Sequence, residues 1–208
     1  MNIIGMCGKG GSGKDTVADY LVENYDFHRV AAADAMKEDL CRYLDMDLNT
    51  LESIKNKKID LIDTEQKDST NLLGQKVGDF SIRRFLQLYG MDMRYRINDT
   101  YWLRTSIDNK IRELELELGA TDNNPVSEHA LQIVVSDVRF EIEFDFIKKN
   151  GGKIFYIEGR TGLTEEESNH VSEQFVNTTA RDKCDMVIDN SQTVDDLYIK
   201  IKELMNDI

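Results

Sequence analysis

The sequence is poor in the residues that build disulfide frameworks and metal cages. Its three cysteines, Cys7, Cys41 and Cys184, are odd in number, far apart and without a Cys-x-x-Cys spacing. That usage argues for a reducing compartment and against a disulfide scaffold or a zinc ribbon. The three histidines, His28, His129 and His170, are equally isolated, so no protein-built transition-metal site is expected. Long apolar runs are also missing, and without about 20 consecutive apolar residues no transmembrane helix is expected. The opening Met1-Asn-Ile-Ile-Gly5 lacks the basic segment and apolar stretch of a secretory leader. Basic residues are scarce: 26 Lys and Arg stand against 39 Asp and Glu, a net charge of -13 in 208 residues. Such a surface repels nucleic-acid backbones and anionic lipid. The expectation is a cytoplasmic protein that binds neither nucleic acid nor membrane. Any anionic ligand must then be captured locally, by backbone N–H groups and a few cations.

What is present is a folded-protein composition, 40% hydrophobic and 31% charged, of a size for one compact domain with a small appended lobe. Apolar runs at Asn2–Cys7, Phe27–Ala33, Leu131–Val135, Lys153–Glu158 and Met186–Ile188 read as strands. Helical periodicity covers Thr16–Asn24, with Val17, Leu21 and Val22 inward, then Met36–Leu44, Ile82–Met93 and a longer stretch from Thr100, where Leu103, Ile107, Ile111, Leu114 and Leu118 recur at helical spacing. Further helices are expected over Arg139–Asn150, from Thr164, and from Thr193 to the end. Asp45–Asp79 is the least patterned stretch, and Gly119–Glu128, with the single proline Pro125, reads as a loop. Strands alternating with helices predict an α/β fold: a five-stranded, mostly parallel sheet covered on both sides.

The strongest motif is Gly8-Lys9-Gly10-Gly11-Ser12-Gly13-Lys14-Asp15-Thr16, between the first strand and the first helix. In one reading it is a phosphate-binding P-loop, with Gly8 and Gly13-Lys14 at the required spacing. Its glycines let successive N–H groups curl around a phosphate, and the helix directs its positive end there. Gly8, Gly10, Gly11, Ser12, Gly13, Lys14, Asp15 and Thr16 would then hold ATP. Asp15 stands where a Ser or Thr normally meets Mg²⁺, so Thr16, Asp15 or a water on Asp15 would serve the metal. In the other reading, Gly8-x-Gly10-x-x-Gly13 is a dinucleotide-binding fingerprint, and Asp34 is the ribose-binding acid about 20 residues on. That reading makes a nicotinamide-dependent oxidoreductase. A lysine at position 14 has no role there, which favours the P-loop. A glycine turn with no ligand is the third possibility.

Other residues fit a phosphoryl-transfer site. Asp137 follows the run Leu131–Val135, where ligands collect in open α/β sheets, and Arg139 lies two residues on. Asp137 could hold Mg²⁺, directly or through water, and Arg139 could neutralise a phosphate; a capping Asp beside a surface Arg is the plain alternative. Arg83, Arg84, Arg94, Arg96 and Arg104 cluster in an otherwise acidic chain, and arginine suits bidentate phosphate contacts. Gln87 could read a base edge; Trp102 is more often core than a stacking platform. Arg160 lies in Gly159-Arg-Thr-Gly162, suited to a mobile loop over phosphates.

Together these segments resemble the bacteriophage deoxynucleoside monophosphate kinases, a branch of the P-loop nucleoside monophosphate kinases. The resemblance rests on Gly8-Lys9 with Ser12–Thr16, Asp34–Glu38, Leu86–Gly90 leading to Trp102, Asp137-Val-Arg139-Phe140 with Glu143, Gly151-Gly152, Arg160, His170–Glu173, Asp185 and Asp189-Asn190. Met91 and Ile142 depart from the family's usual Thr and Asn. The resemblance implies a single P-loop kinase domain over 1–208, with a monophosphate-binding lobe at 34–118 and a lid at 159–173. It implies Mg²⁺-dependent transfer from ATP to a deoxynucleoside monophosphate, with Lys14, Asp137, Arg139 and Arg160 catalytic. Asp34, Lys37, Arg83, Gln87, Arg94, Arg96, Trp102 and Arg139 would bind the acceptor, Arg94 and Arg96 being alternatives for one phosphate contact. A homodimer is a candidate assembly. The rivals are another P-loop small-molecule kinase such as a dephospho-coenzyme A kinase, the oxidoreductase, and a nucleotide-binding module without turnover.

Overall fold

The computed structural model describes residues 2–57, 81–119, 131–159 and 171–206, with the backbone alone for 171–174. In chain order the elements are β1 (Asn2–Cys7), α1 (Lys14–Tyr25), β2 (His28–Val30), α2 (Ala32–Leu44), α3 (Leu48–Ile54), α4 (Ile82–Arg96), α5 (Tyr101–Glu117), β3 (Gln132–Val138), α6 (Glu141–Lys149), β4 (Lys153–Gly159), α7 (Val171–Thr178), α8 (Ala180–Lys183), β5 (Met186–Asn190) and α9 (Val194–Asn206). They form two units, one of residues 1–31 with 107–208, the other of residues 32–106.

The first unit carries the sheet. Its strands run parallel in the order β2-β3-β1-β4-β5. The register pairs Asn2 with Gln132 and Cys7 with Val138 on one side of β1, and Gly5 with Ile154 and Cys7 with Tyr156 on the other. Strands buried on both faces must be apolar almost throughout, and Ile3, Ile4, Ile133, Val134, Val135, Ile154, Phe155 and Ile157 are all buried. Val17 and Leu21 of α1 and Leu197 and Ile201 of α9 join Ile4, Met6, Phe155 and Ile188 in one core cluster. Tyr20 and Tyr198 stack beside it with ring centroids 4.3 Å apart. Phe144 of α6 meets Phe175 of α7 edge to face at 5.7 Å. Thr193 and Asp196 cap each other at the start of α9, the hydroxyl donating to the carboxylate at 2.6 Å.

In the second unit Leu40, Leu51, Ile82 and Leu86 form the centre, with Met36 and Phe85 against them. Asp47 and Ser81 accept from the backbone N–H of Thr50 and Arg84 and so cap α3 and α4. Ser106 Oγ accepts from the Ala35 N–H at 3.1 Å.

Several boundaries and placements differ from the sequence expectation. The second strand covers only His28–Val30, and α2 begins at Ala32, because Ala31-Ala32-Ala33 favours helix over strand. The third strand continues through Ser136 to Val138, so Asp137 lies within β3 rather than after it. Val22, expected inward, is 39% exposed, and Leu118 lies beyond the end of α5 and is 67% exposed. Residues 58–80, 120–130 and the helix expected from Thr164 lie wholly or largely outside the described residues.

Candidate phosphate-binding site

Parallel strands end on one edge of their sheet, so the carboxyl ends of β1, β3, β4 and β5 bring together segments far apart in sequence. In open α/β sheets ligands bind at that edge, where the strand order reverses. Here the chain passes from β3 to β4 across β1, and the glycine loop leaves β1 at that point.

Gly8, Gly11 and Gly13 all have positive φ. Gly13 sits at φ 103°, ψ 14° before the first turn of α1, and a Cβ there would lie 2.3 Å from the Asn190 amide nitrogen. Only glycine therefore serves. Lys14 folds back over the loop and is 6% exposed. Its ammonium donates to the carbonyls of Gly8 (2.7 Å) and Lys9 (3.0 Å), and stands 3.8 Å from Asp137 Oδ1. The structure thus brings together the two residues expected to act at the phosphates.

Asp137 is oriented by its own segment. Its Oδ2 accepts from Arg139 Nε at 2.6 Å. The buried Glu143 carboxylate accepts from the backbone N–H groups of Arg139 (3.0 Å) and Phe140 (3.2 Å), pinning the turn between β3 and α6. Glu143 is part of the family resemblance without an expected role; its signal is a glutamate three residues after Phe140, which precedes the first turn of α6.

Three buried side-chain oxygens among the described residues make no hydrogen bond: Ser12 Oγ, Asp137 Oδ1 and Asp92 Oδ1. Two of them belong to this site. A buried carboxylate oxygen without a donor is costly, and a cation or its water would satisfy it. Thr16, half buried in the first turn of α1, supplies a hydroxyl two residues after Lys14. No cluster of three or more His, Cys, Asp or Glu suited to a metal occurs among the described residues. A Mg²⁺ held chiefly by phosphates and one or two protein oxygens needs no such cluster. The residues present therefore fit Mg²⁺ bound with nucleotide.

Asp15 is engaged elsewhere. Arg29 of β2 binds its carboxylate and also that of Asp19, one turn on, at 2.6 Å. Arg29 went unnoticed in the sequence because nothing local links residue 29 to residue 15. It offsets part of the repulsion that a carboxylate beside the loop would otherwise exert.

A cleft of about 280 Å³ adjoins the loop. Its lining includes Lys9 and Ser12 of the loop, Tyr156–Gly159 of β4, Asn177 of α7 and Arg181 of α8. Glu158 takes both hydrogen bonds of an Arg181 fork, at 2.9 and 3.2 Å, and that fork holds its carboxyl below the usual range. Beneath the loop, burial pushes the Cys7 thiol up to about 12, outweighing the opposing pull of the Gly8 backbone and Lys14. Cys7 is a neutral packing residue, not a nucleophile.

The residues expected to bind an acceptor lie in the second unit, apart from Arg139. Asp34 is in the first turn of α2 rather than at a strand end. Lys37 pairs with Glu52 at 2.8 Å. On α4, Arg83 donates to the Asn56 side chain at 2.7 Å, and Arg94 donates to the Asp99 carbonyl at 3.0 Å. Gln87 is half buried and Arg96 exposed. Trp102, expected against the acceptor, is 3% exposed. It donates to the Gly90 carbonyl at 3.2 Å and packs against Tyr89 and Tyr101. Its large apolar area is spent on packing. Arg160 lies outside the described residues.

These features settle the competition at the glycine loop. A dinucleotide fold places its second strand beside the first, whereas here β3 intervenes and Asp34 is helical. Sheet order, loop geometry and the inward Lys14 define an α/β P-loop kinase fold. A sequence model described as deoxynucleotide monophosphate kinase matches residues 44–201. The chain belongs to that family, and it is a nucleotide kinase. One relative, from Acanthamoeba polyphaga mimivirus and named "Putative deoxynucleotide monophosphate kinase", is 30% identical over 201 residues, covering 97% of this chain and 94% of that one. Among solved structures, a dephospho-CoA kinase from Campylobacter jejuni aligns at TM-score 0.49 and 13% identity, covering 99% of this chain and 96% of that one. A shikimate kinase from Aquifex aeolicus aligns at TM-score 0.44 and 13% identity, with the same coverage of 99% and 96%. Among the described residues no helix is long and apolar enough to cross a membrane.

Proposed function

We propose that this protein transfers the γ-phosphoryl group of ATP to the phosphate of a deoxynucleoside monophosphate, forming ADP and a deoxynucleoside diphosphate. The observation that carries this reading is the pairing of Lys14 with Asp137 at the sheet edge, 3.8 Å apart, in a chain of this family. Phosphoryl transfer needs alignment and charge neutralisation more than covalent help. The loop from Gly8 to Thr16 holds the ATP phosphates through its N–H groups, and Lys14, with three donors, adds a phosphate oxygen to its carbonyl contacts. Arg139, fixed through Asp137 and Glu143, adds positive charge. Thr16 and Asp137 would hold Mg²⁺, Asp137 directly or through water, and the ion would supply neutralising charge to the phosphates. Asp15, committed to Arg29, serves the loop indirectly.

On the acceptor side Asp34, Lys37, Arg83, Gln87 and Arg94 or Arg96 bind the monophosphate, with Gln87 reading a base edge. Arg160 covers the phosphates in transfer. An ADP-release assay with a panel of deoxy- and ribonucleoside monophosphates, with dephospho-coenzyme A included, tests the reading. Release that depends on a deoxynucleoside monophosphate is the expected result. Release only with dephospho-coenzyme A, or with no nucleotide acceptor, overturns it.

A further inference from the structure

We infer that Asn190 is a positioning residue for nucleotide binding, and that affinity depends on its side-chain amide as a hydrogen-bond donor. The inference rests on reading the Gly8–Thr16 loop as the nucleotide site. A peptide group directs its N–H and C=O in opposite senses, so a loop that offers N–H groups to an anion must turn carbonyls away from it. Each carbonyl so turned needs a donor elsewhere when buried. Lys14 supplies the carbonyls of Gly8 and Lys9. The Ser12 carbonyl has a different source: Asn190, 178 positions later at the end of β5, donates its Nδ2 at 2.9 Å.

The surroundings are built for that contact. A Cβ on Gly13 would meet the same amide nitrogen at 2.3 Å, and one on Gly159 would lie 2.6 Å from the Ser12 carbonyl oxygen. Two glycines thus leave room for one amide. Ser12 itself is 1% exposed, with its hydroxyl unpartnered among the described residues. Losing the Asn190 donor would release the Ser12 peptide to rotate, and its oxygen would then compete with phosphate for the loop's donors. The charged groups nearby are Lys9 and Lys14 on the loop, Glu158 with Arg181 beside β4, and Asp189 held by Lys200 of α9.

The test is calorimetric titration of the full chain with Mg²⁺ and ADP between pH 8.5 and 5.5. Each variant is referred to wild type at the same pH, so that titration of ADP itself cancels. Asn190→Ala, which removes the donor without adding charge, is expected to weaken ADP about tenfold throughout the range. Asn190→Asp places an acceptor-only carboxylate against the carbonyl at pH 8.5 and should lose at least as much. Aspartate keeps the size and shape of asparagine and stays ionised over this range, so lost packing alone would leave it like wild type. A simple charge effect cannot give this pattern, because it leaves Asn190→Ala like wild type. Asn190→Val, better suited to a strand, replaces the Ala variant if that does not fold. Wild-type affinity in either variant overturns the inference alone. A wild-type protein that binds no ADP overturns the nucleotide reading of the loop, and this inference with it.

Discussion

Replacing Lys14 with methionine separates the ammonium's chemistry from the packing of its stem, since methionine keeps an unbranched apolar chain in a site that is 6% exposed. The variant loses hydrogen bonds of 2.7 and 3.0 Å to the Gly8 and Lys9 carbonyls. Bonds from a charged donor are worth roughly 1.5–3 kcal/mol each, and relief from burying an ammonium returns several kcal/mol. The net loss of stability is about 1–3 kcal/mol, a fall in Tm of about 3–10 °C for a chain of this size. Asp137, 3.8 Å away, loses a partner. At an effective dielectric of 20 that attraction is about 4 kcal/mol. Asp137 is 35% exposed and also paired with Arg139, so solvent and Arg139 reduce it to about 1 kcal/mol. Asp137→Asn should therefore cost about 1 kcal/mol less in the Lys14→Met background than in wild type. Turnover behaves differently: losing a cation that meets the transferring phosphoryl group costs about 10²–10³ in kcat, and the second substitution restores none of it. Coupled ADP release and thermal melting read the two effects separately. A folded Lys14→Met protein turning over within tenfold of wild type would refute the reasoning.

Asp137→Asn alone should lower kcat about 10²-fold and raise the Mg²⁺ concentration needed for half-maximal rate, while circular dichroism stays native; an unchanged Mg²⁺ requirement removes Asp137 from the metal. Arg160→Ala should lower kcat and kcat/KM together by about 10²-fold with ATP affinity nearly unchanged, whereas lost affinity at unchanged kcat makes it a ground-state clamp. Cys7 should resist alkylation at pH 8 until the protein unfolds, since its thiol is pushed up to about 12 by burial. The unfolded chain ionises this thiol first, so the Cys7 contribution is intact below the ordinary value of 9.0 and is lost as pH rises from there to about 12. The slope is about 1.4 kcal/mol per pH unit. The stabilities of wild type and Cys7→Ala from denaturant melts should run parallel below pH 9.0 and diverge as pH rises from there toward about 12.

Much of this was legible from residue order alone. The glycine loop is one contiguous segment, and Gly13-Lys14 between an apolar run and a helix carries its chemistry locally. The apolar runs that became β1, β3 and β4 had to be buried on both faces, so their existence followed from composition, although β2 shrank because three alanines prefer a helix. The choice between two phosphate-binding folds was a different matter. It turned on β3 lying between β1 and β2, a long-range pairing that no short stretch encodes. The same holds for Arg29 with Asp15, Lys14 with Asp137, and Asn190 with Ser12, which are 14, 123 and 178 positions apart. Such contacts form only because parallel strands end on a common edge, so residues at the ends of different strands meet however long the chain between them. The sequence determined which groups were available to hold phosphate; the sheet decided which of them stand together.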